Sequence, residues 1–119
     1  MIDLLKKHLS EVVNVTWNFS KRLETERDHQ MNALVGLASE AGETLDIGKK
    51  MWFHSEKPNG FFRDKFVLEL GDILYYFLKV LDVFQIPIEE VIARNRDKLV
   101  SRHPEMGQVK ERYSGDYIR

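Results

Sequence analysis

The sequence contains no cysteine and only 3 prolines among its 119 residues. Missing thiols exclude a disulfide scaffold, a cysteine nucleophile and a thiolate metal site. Neither sign of charge dominates, because 18 Lys and Arg oppose 19 Asp and Glu for a formal net charge of -1. We therefore expect no broad attraction to nucleic acid or to a membrane, and an anionic ligand must be held by local groups.

The sequence also lacks a long hydrophobic run. Its longest apolar stretch, residues 73–84, contains Lys79 and Asp82 and is too short to span a bilayer. Residues 1–10 carry Asp3 and do not show the basic segment and apolar run of a signal peptide. These features predict a cytoplasmic protein.

Hydrophobic residues make up 43% of the chain, which is enough for one core of its own. Residues 1–119 are thus predicted to form a single domain. Apolar residues recur every three to four positions, which predicts four main helices over about residues 2–19, 29–52, 61–84 and 87–100, followed by a polar tail. No segment alternates as a strand does, so the predicted fold class is all-α.

Acidic residues three positions apart are the first candidates for a functional site. Composition alone predicts about three such pairs. The sequence has these: Glu40/Glu43, Glu43/Asp46 and Glu69/Asp72. Spacing by itself therefore indicates nothing, and the surroundings of the pairs must decide.

Two of the pairs lie on narrow polar stripes of otherwise apolar helices. At about 100° per residue, each helix can be projected onto a wheel. The stripe of the third helix contains Lys65, Glu69, Asp72, Tyr76 and Lys79. The stripe of the second helix contains Asn32, Gly36, Glu40, Glu43 and Lys50. Either stripe alone is best explained as a solvent-facing side. The third helix, however, is so apolar elsewhere that its stripe is expected to line an internal cleft.

Four carboxylates in one cleft would repel each other unless hydrogen bonds or a cation compensate. Oxygen ligands favour hard cations, above all Mg²⁺, with Mn²⁺ as a substitute. Gly42 and Gly71 each precede the second acid of a pair, although glycine costs about 1 kcal/mol inside a helix. We expect the two helices to approach closely at these glycines.

Four segments in order resemble the MazG-like nucleotide pyrophosphohydrolases. They are Gly36-Leu-x-x-Glu40-Ala-Gly-Glu43, Lys49-Lys50, Glu69-Leu-Gly-Asp72-Ile-Leu-Tyr-Tyr, and Asn95-x-x-Lys98-Leu-x-x-Arg102-His-Pro. The resemblance covers about residues 32–107. It implies a helical bundle completed by homodimerisation, with a dimer of dimers as the alternative assembly. It also implies cleavage of (deoxy)nucleoside triphosphates to monophosphate and pyrophosphate.

Carried over by position, the resemblance makes Glu40, Glu43, Glu69 and Asp72 the metal ligands and catalytic residues. Asn95, Lys98 and Arg102 resemble the family's phosphate-contacting segment, and Lys65 is a further phosphate candidate. A solvated basic face is the alternative for that series, and an ion pair is the alternative for Lys65.

Aromatic and amide residues near the acids are candidates for base binding. Trp52 and Tyr76 occupy positions typical of aromatic contacts in related enzymes, and Asn32, His29 and Trp17 are weaker candidates. An aromatic residue at helical spacing belongs more often to the core, and for Trp17 we favour the core.

Two alternatives to this function stay open. One is a non-enzymatic dimeric helical interaction module, and the other is a pyrophosphohydrolase of the same superfamily that acts on a phosphoribosyl nucleotide or on dUTP. The first predicts no metal-dependent activity. Neither alternative changes the predicted fold.

Overall fold

The computed structural model describes residues 1–20, 23–54 and 56–106, and within them all regular structure is helical. The helices are α1 (Ile2–His8), α2 (Asn14–Ser20), α3 (Glu26–Phe53), α4 (Asn59–Val83) and α5 (Ile88–Arg102). A π-helical turn, Leu9–Val13, joins α1 to α2, so both belong to the first predicted helix. The all-α prediction is confirmed. Most of the predicted tail lies outside the described residues.

Helix α3 begins earlier than its apolar pattern predicts, because a capping box fixes its start. The backbone N–H of Asp28 donates to the Thr25 hydroxyl at 3.1 Å, and the N–H of Thr25 donates to the Asp28 carboxylate at 3.3 Å. This reciprocal pair satisfies amide groups that the first helical turn leaves without partners. The charged run before His29 is therefore partly helix, not only the connector that its composition suggests.

The ends of α4 are set by local backbone chemistry. Pro58 is the N-cap in an extended conformation, and α4 begins at the next residue. After Val83 the chain turns through Gln85, whose φ of 54° is unusual for a residue other than glycine. Pro87 then caps α5, since its fixed φ suits the position before a helix.

Helices α3 and α4 pack against each other in antiparallel directions. Tyr76 near the end of α4 covers Gly36 in the first half of α3, whereas Ile47 and Phe62 line one cavity near the connecting loop. The residues buried in this part of the chain come from α2, α3, α4 and the π-turn. The buried hydrophobic side chains are those of Val13, Trp17, Ala33, Ile47, Phe62, Leu78 and Leu81.

Large apolar side chains also remain exposed on α3 and α4. On α3 these include Met31, Leu34, Val35 and Leu45, and on α4 they include Val67, Leu68 and Leu70, the last three at 53–70% exposure. A single chain therefore leaves apolar surface uncovered on both long helices.

Residues Asp3–Phe84 form one compact unit, and α5 belongs to a second one. Ile88, Ala93 and Val100 are the buried residues of α5. No helix in the described part of the chain is long and apolar enough to cross a membrane.

Candidate active site

Three of the four predicted acids meet where α3 passes α4. One carboxylate oxygen from each of Glu40, Glu43 and Glu69 lies within 4.8 Å of the other two. The three-residue spacing on α3 places Glu40 and Glu43 on the face that meets α4. Asp72, one turn after Glu69, is exposed, and its negative charge acts on Glu40.

The Glu40 carboxyl group is the electrostatic centre of this acid cluster. Desolvation raises its pKa from 4.5 to about 7, helped by hydrogen bonds shared with Glu43 and Glu69 and by the charges of Glu43 and Asp72. A shared proton explains the direction, because neighbouring carboxylates cannot all be ionised without cost. In the absence of a cation, the cluster therefore holds a proton near neutral pH.

Two buried oxygen atoms of the cluster are suited to bind a cation. When the three acids are ionised, Oε2 of Glu40 and Oε2 of Glu69 have no hydrogen-bond donor among the described residues, although each is buried. A buried acceptor without a donor costs free energy, which a bound cation would recover. The available metal ligands are all carboxylate oxygens, which fit Mg²⁺ or Mn²⁺ better than a soft metal.

The two glycines beside the acids do not bring α3 and α4 together. A Cβ atom added at Gly42 or Gly71 would meet no atom within 4 Å in this chain. The expectation of close helix contact at these positions is therefore wrong within one chain. The close contact is instead at Gly36, where the Tyr76 ring occupies the space a Cβ would need. Projection onto a wheel gives a face but not the angle at which the partner helix crosses it.

Three of the five candidates for base binding form one aromatic cluster. Trp17 is fully buried and donates its indole N–H to Nδ1 of His29 at 2.9 Å. Its ring meets that of Tyr76 edge-on, with 6.2 Å between centroids. Trp17 therefore offers no exposed face to a base and belongs to the core. Half-buried His29, Asn32 and Tyr76 keep some exposed surface.

The Lys79 ammonium group is buried below this cluster. It donates to Asn14 at 2.8 Å and to Asp82 at 3.1 Å, and lies 5.0 Å from the Trp17 ring centroid. The polar stripe of α4 thus ends in an internally satisfied cation, not in an open one.

Trp52 is separated from the other aromatic candidates. It lies 23 residues after His29 on the same helix, which corresponds to about 35 Å at 1.5 Å per residue. Its ring packs beside Gly48 and stays 64% exposed. Trp52 and His29 of one chain therefore cannot line the same base pocket.

The four phosphate candidates fall into two groups. Lys65 is exposed on α4, one turn before Glu69, with its ammonium group 5.0 Å from the Phe61 ring centroid. Asn95, Lys98 and Arg102 are exposed on α5. Asn95 and Lys98 line a cavity of about 540 Å³ with Arg94, whereas Arg102 does not line it.

A cavity of about 610 Å³ adjoins the acid cluster and was not foreseen from the sequence. Glu43 and Glu69 form one side, Phe61 and Phe62 contribute apolar surface, and Lys50 and Lys65 supply positive charge. Lys50 stands in the Lys-Lys segment of the resemblance without an assigned role. Pairing the end of α3 with the start of α4 across their short loop is the signal that could have found this cavity.

One family model matches most of the chain. The family model described as the MazG nucleotide pyrophosphohydrolase domain matches residues 27–107. The chain belongs to the MazG nucleotide pyrophosphohydrolase family. The four predicted metal ligands Glu40, Glu43, Glu69 and Asp72 lie in the matched range, as do the phosphate candidates, whereas Trp17 precedes it. No curated protein and no solved structure gave a significant match.

Di-iron proteins are a second class of helical protein that binds metal through paired acids. Di-iron bundles combine paired acids with a Glu-x-x-His spacing. That spacing occurs once here, at Glu26 and His29, at the start of α3. The His29 ring accepts a hydrogen bond from Trp17. The acid cluster in the described part of the chain contains only carboxylates. The acid cluster therefore lacks the histidine ligands of a di-iron site of this kind.

Proposed function

We propose that this MazG-family protein hydrolyses (deoxy)nucleoside triphosphates to monophosphate and pyrophosphate in a Mg²⁺-dependent reaction. The observation that carries the proposal is the convergence of Glu40, Glu43 and Glu69 with two buried oxygens that have no donor in the described chain. Asp72 completes the ligand set as the fourth acid. Mn²⁺ is expected to substitute for Mg²⁺.

The carboxylates and the metal have distinct tasks in this reaction. When bound, Mg²⁺ neutralises phosphate charge and lowers the pKa of water. The acids of α3 and α4 hold the cation in place and orient the attacking water towards the α-phosphorus. The water oxygen forms a bond to the α-phosphorus while the bond between the α-phosphorus and the bridging oxygen breaks. The bridging oxygen leaves with pyrophosphate, and a carboxylate takes the proton of the water.

Positively charged and amide side chains are proposed to bind the phosphates. Lys65 is the candidate nearest in sequence to the acids, and it lines a cavity together with Glu43 and Glu69. Asn95, Lys98 and Arg102 are the candidates on α5, where Lys98 and Arg102 are exposed cations one turn apart. Charge-assisted hydrogen bonds to phosphate oxygens are the reason to expect these residue types.

For the nucleobase we propose the surface formed by Tyr76, Asn32 and His29. Tyr76 and His29 offer ring surface, and the Asn32 amide can both donate and accept hydrogen bonds. Trp17 supports this surface from inside the core. Because Trp52 is remote from this surface in one chain, a part in base binding requires Trp52 of a second copy.

A homodimer, or a dimer of two such dimers, is proposed as the working assembly in the cytoplasm. The apolar faces of α3 and α4 that one chain leaves exposed support it. Gly42 and Gly71 open onto empty space in one chain, so backbones of a second copy can approach there. Burial of these faces would contribute roughly 25 cal/mol for each Å² removed from water.

The proposal is tested with a panel of NTPs and dNTPs incubated with and without Mg²⁺, scoring pyrophosphate release. Asp72→Asn is expected to reduce the rate at least a hundredfold, since it removes a ligand charge. Asp64→Asn is the matched control, because Asp64 is an exposed acid on the same helix outside the cluster. Absence of pyrophosphate with every nucleotide, or equal rates for the two variants, would refute the assignment.

A further inference from the structure

Positive charge is distributed unevenly on the two sides of the acid cluster along α3 and α4. At the Tyr76 end, the Lys79 side chain is 8% exposed, and its ammonium group already donates hydrogen bonds to Asp82 and Asn14. This end therefore provides an aromatic surface but no available cation from Lys79. A chain of phosphates, which needs positive charge, is poorly matched to it.

The cavity on the other side of the acids contains two exposed lysines. It extends from Glu43 and Glu69 over Phe61 and Phe62 to Lys50 and Lys65, includes Asp46, and has a volume of about 610 Å³. A smaller recess of about 390 Å³ shares Lys50 and both phenylalanines, and adds His54 and Lys57. Lysine side chains therefore lie beside the acid cluster, at Lys50 and Lys65 of the cavity and at Lys57 of the recess.

Two lysines of this cavity are available to an anion. In the described chain no carboxylate lies within ion-pairing distance of Lys65, whose ammonium group rests over the Phe61 ring. Lys50 pairs with Asp46 at 3.0 Å, but the two side chains are 63% and 54% exposed. Such a solvent-exposed pair contributes little free energy, so Lys50 can exchange Asp46 for a phosphate oxygen.

We propose that this cavity binds the two distal phosphates of the triphosphate, with Lys50 as a phosphate-binding residue beside Lys65. The nucleotide then lies in one direction across the acids, with its base towards Tyr76 and its β- and γ-phosphates towards Phe61. This assignment rests on the proposed function, which places the α-phosphorus at the acid cluster. After cleavage the same cavity holds pyrophosphate, which is therefore an inhibitor competing with the triphosphate.

Binding of inorganic pyrophosphate in the presence of Mg²⁺, measured by titration calorimetry on the full chain, tests this assignment. Lys50→Gln is expected to weaken binding about tenfold, which corresponds to the loss of roughly 1.4 kcal/mol. Lys49→Gln is the matched control, because Lys49 is the adjacent exposed lysine and does not line the cavity. Lys50→Arg should retain binding, since it restores the charge.

Equal pyrophosphate affinity in Lys50→Gln and Lys49→Gln, or no binding by the wild type, would overturn the assignment. The KM for the triphosphate provides a second readout and should rise in Lys50→Gln while kcat changes little. If no triphosphate is hydrolysed but Lys50-dependent pyrophosphate binding persists, the proposed reaction fails and the anion cavity stands.

Discussion

Neutralising Glu40 is expected to stabilise the metal-free protein while removing its response to Mg²⁺. The Glu40 pKa of about 7 lies about 2.5 above its usual 4.5, so ionising this group in the folded state is unfavourable. The full difference corresponds to at most about 3 kcal/mol. Because Glu40 is only half-buried, solvent screening should reduce the gain from Glu40→Gln to about 1–2 kcal/mol.

The pH dependence of this effect has a definite sign. A carboxyl whose folded pKa is raised contributes stability below its unfolded pKa, and this contribution is lost as pH rises through the folded value. Relative to Glu40→Gln, the wild type without metal should therefore lose stability between about pH 4.5 and pH 7. The two proteins should be equally stable near pH 4 and differ most at pH 8.

Thermal unfolding at fixed protein concentration, in EDTA and in Mg²⁺, measures both effects. At pH 8 in EDTA, Glu40→Gln should unfold about 4–8 °C above the wild type. Saturating Mg²⁺ should reverse the order, because a ligand at 100 times its Kd adds about 2.7 kcal/mol to the protein that binds it. Asp46→Asn is the control, since Lys50 lowers the Asp46 pKa and neutralisation there should not stabilise. A destabilised Glu40→Gln in EDTA, or equal Mg²⁺ shifts in both proteins, would refute the reasoning.

Two further substitutions test the assembly and the backbone. In a monomer, the alanine methyl group of Gly42→Ala meets no atom, and the free energy of unfolding should rise by up to about 1 kcal/mol. If a second copy packs against Gly42, the methyl group clashes with it, and the proposed dimer predicts a loss of stability instead. Sedimentation and thermal unfolding distinguish these outcomes, and a stabilised, still dimeric variant would exclude Gly42 from the interface. Gln85→Gly should stabilise by about 0.5–1 kcal/mol, because glycine adopts the φ of 54° without strain. Denaturant unfolding measures it, and an unchanged or lower midpoint would show that Gln85 is unstrained.

Helical periodicity was sufficient to predict the fold class and the faces that carry the acids. Residues three and four apart share a helix face in any packing, so Glu40 and Glu43 could be placed together before their partner helix was known. The start of α3 was misjudged because Thr25 and Asp28 resemble a charged connector until their reciprocal hydrogen bonds are seen.

Properties that depend on how α3 meets α4 could not be read from either helix alone. The relative shift of the two helices decides that Tyr76 covers Gly36 and leaves Gly42 open. It also brings Lys50 and Lys65 to one cavity although 15 positions separate them. Among the base candidates, the preference for Trp17 in the core is confirmed by its full burial, whereas the position of exposed Trp52 relative to Tyr76 depends on how the two helices are shifted.

The most direct test of the central claim is hydrolysis of the best triphosphate substrate in oxygen-18 water with Mg²⁺. Mass spectrometry of the products locates the new oxygen. Attack at the α-phosphorus, directed by the acid cluster, predicts one labelled oxygen in the nucleoside monophosphate and none in pyrophosphate. Label in pyrophosphate or orthophosphate, or no cleavage of any triphosphate, would contradict the account.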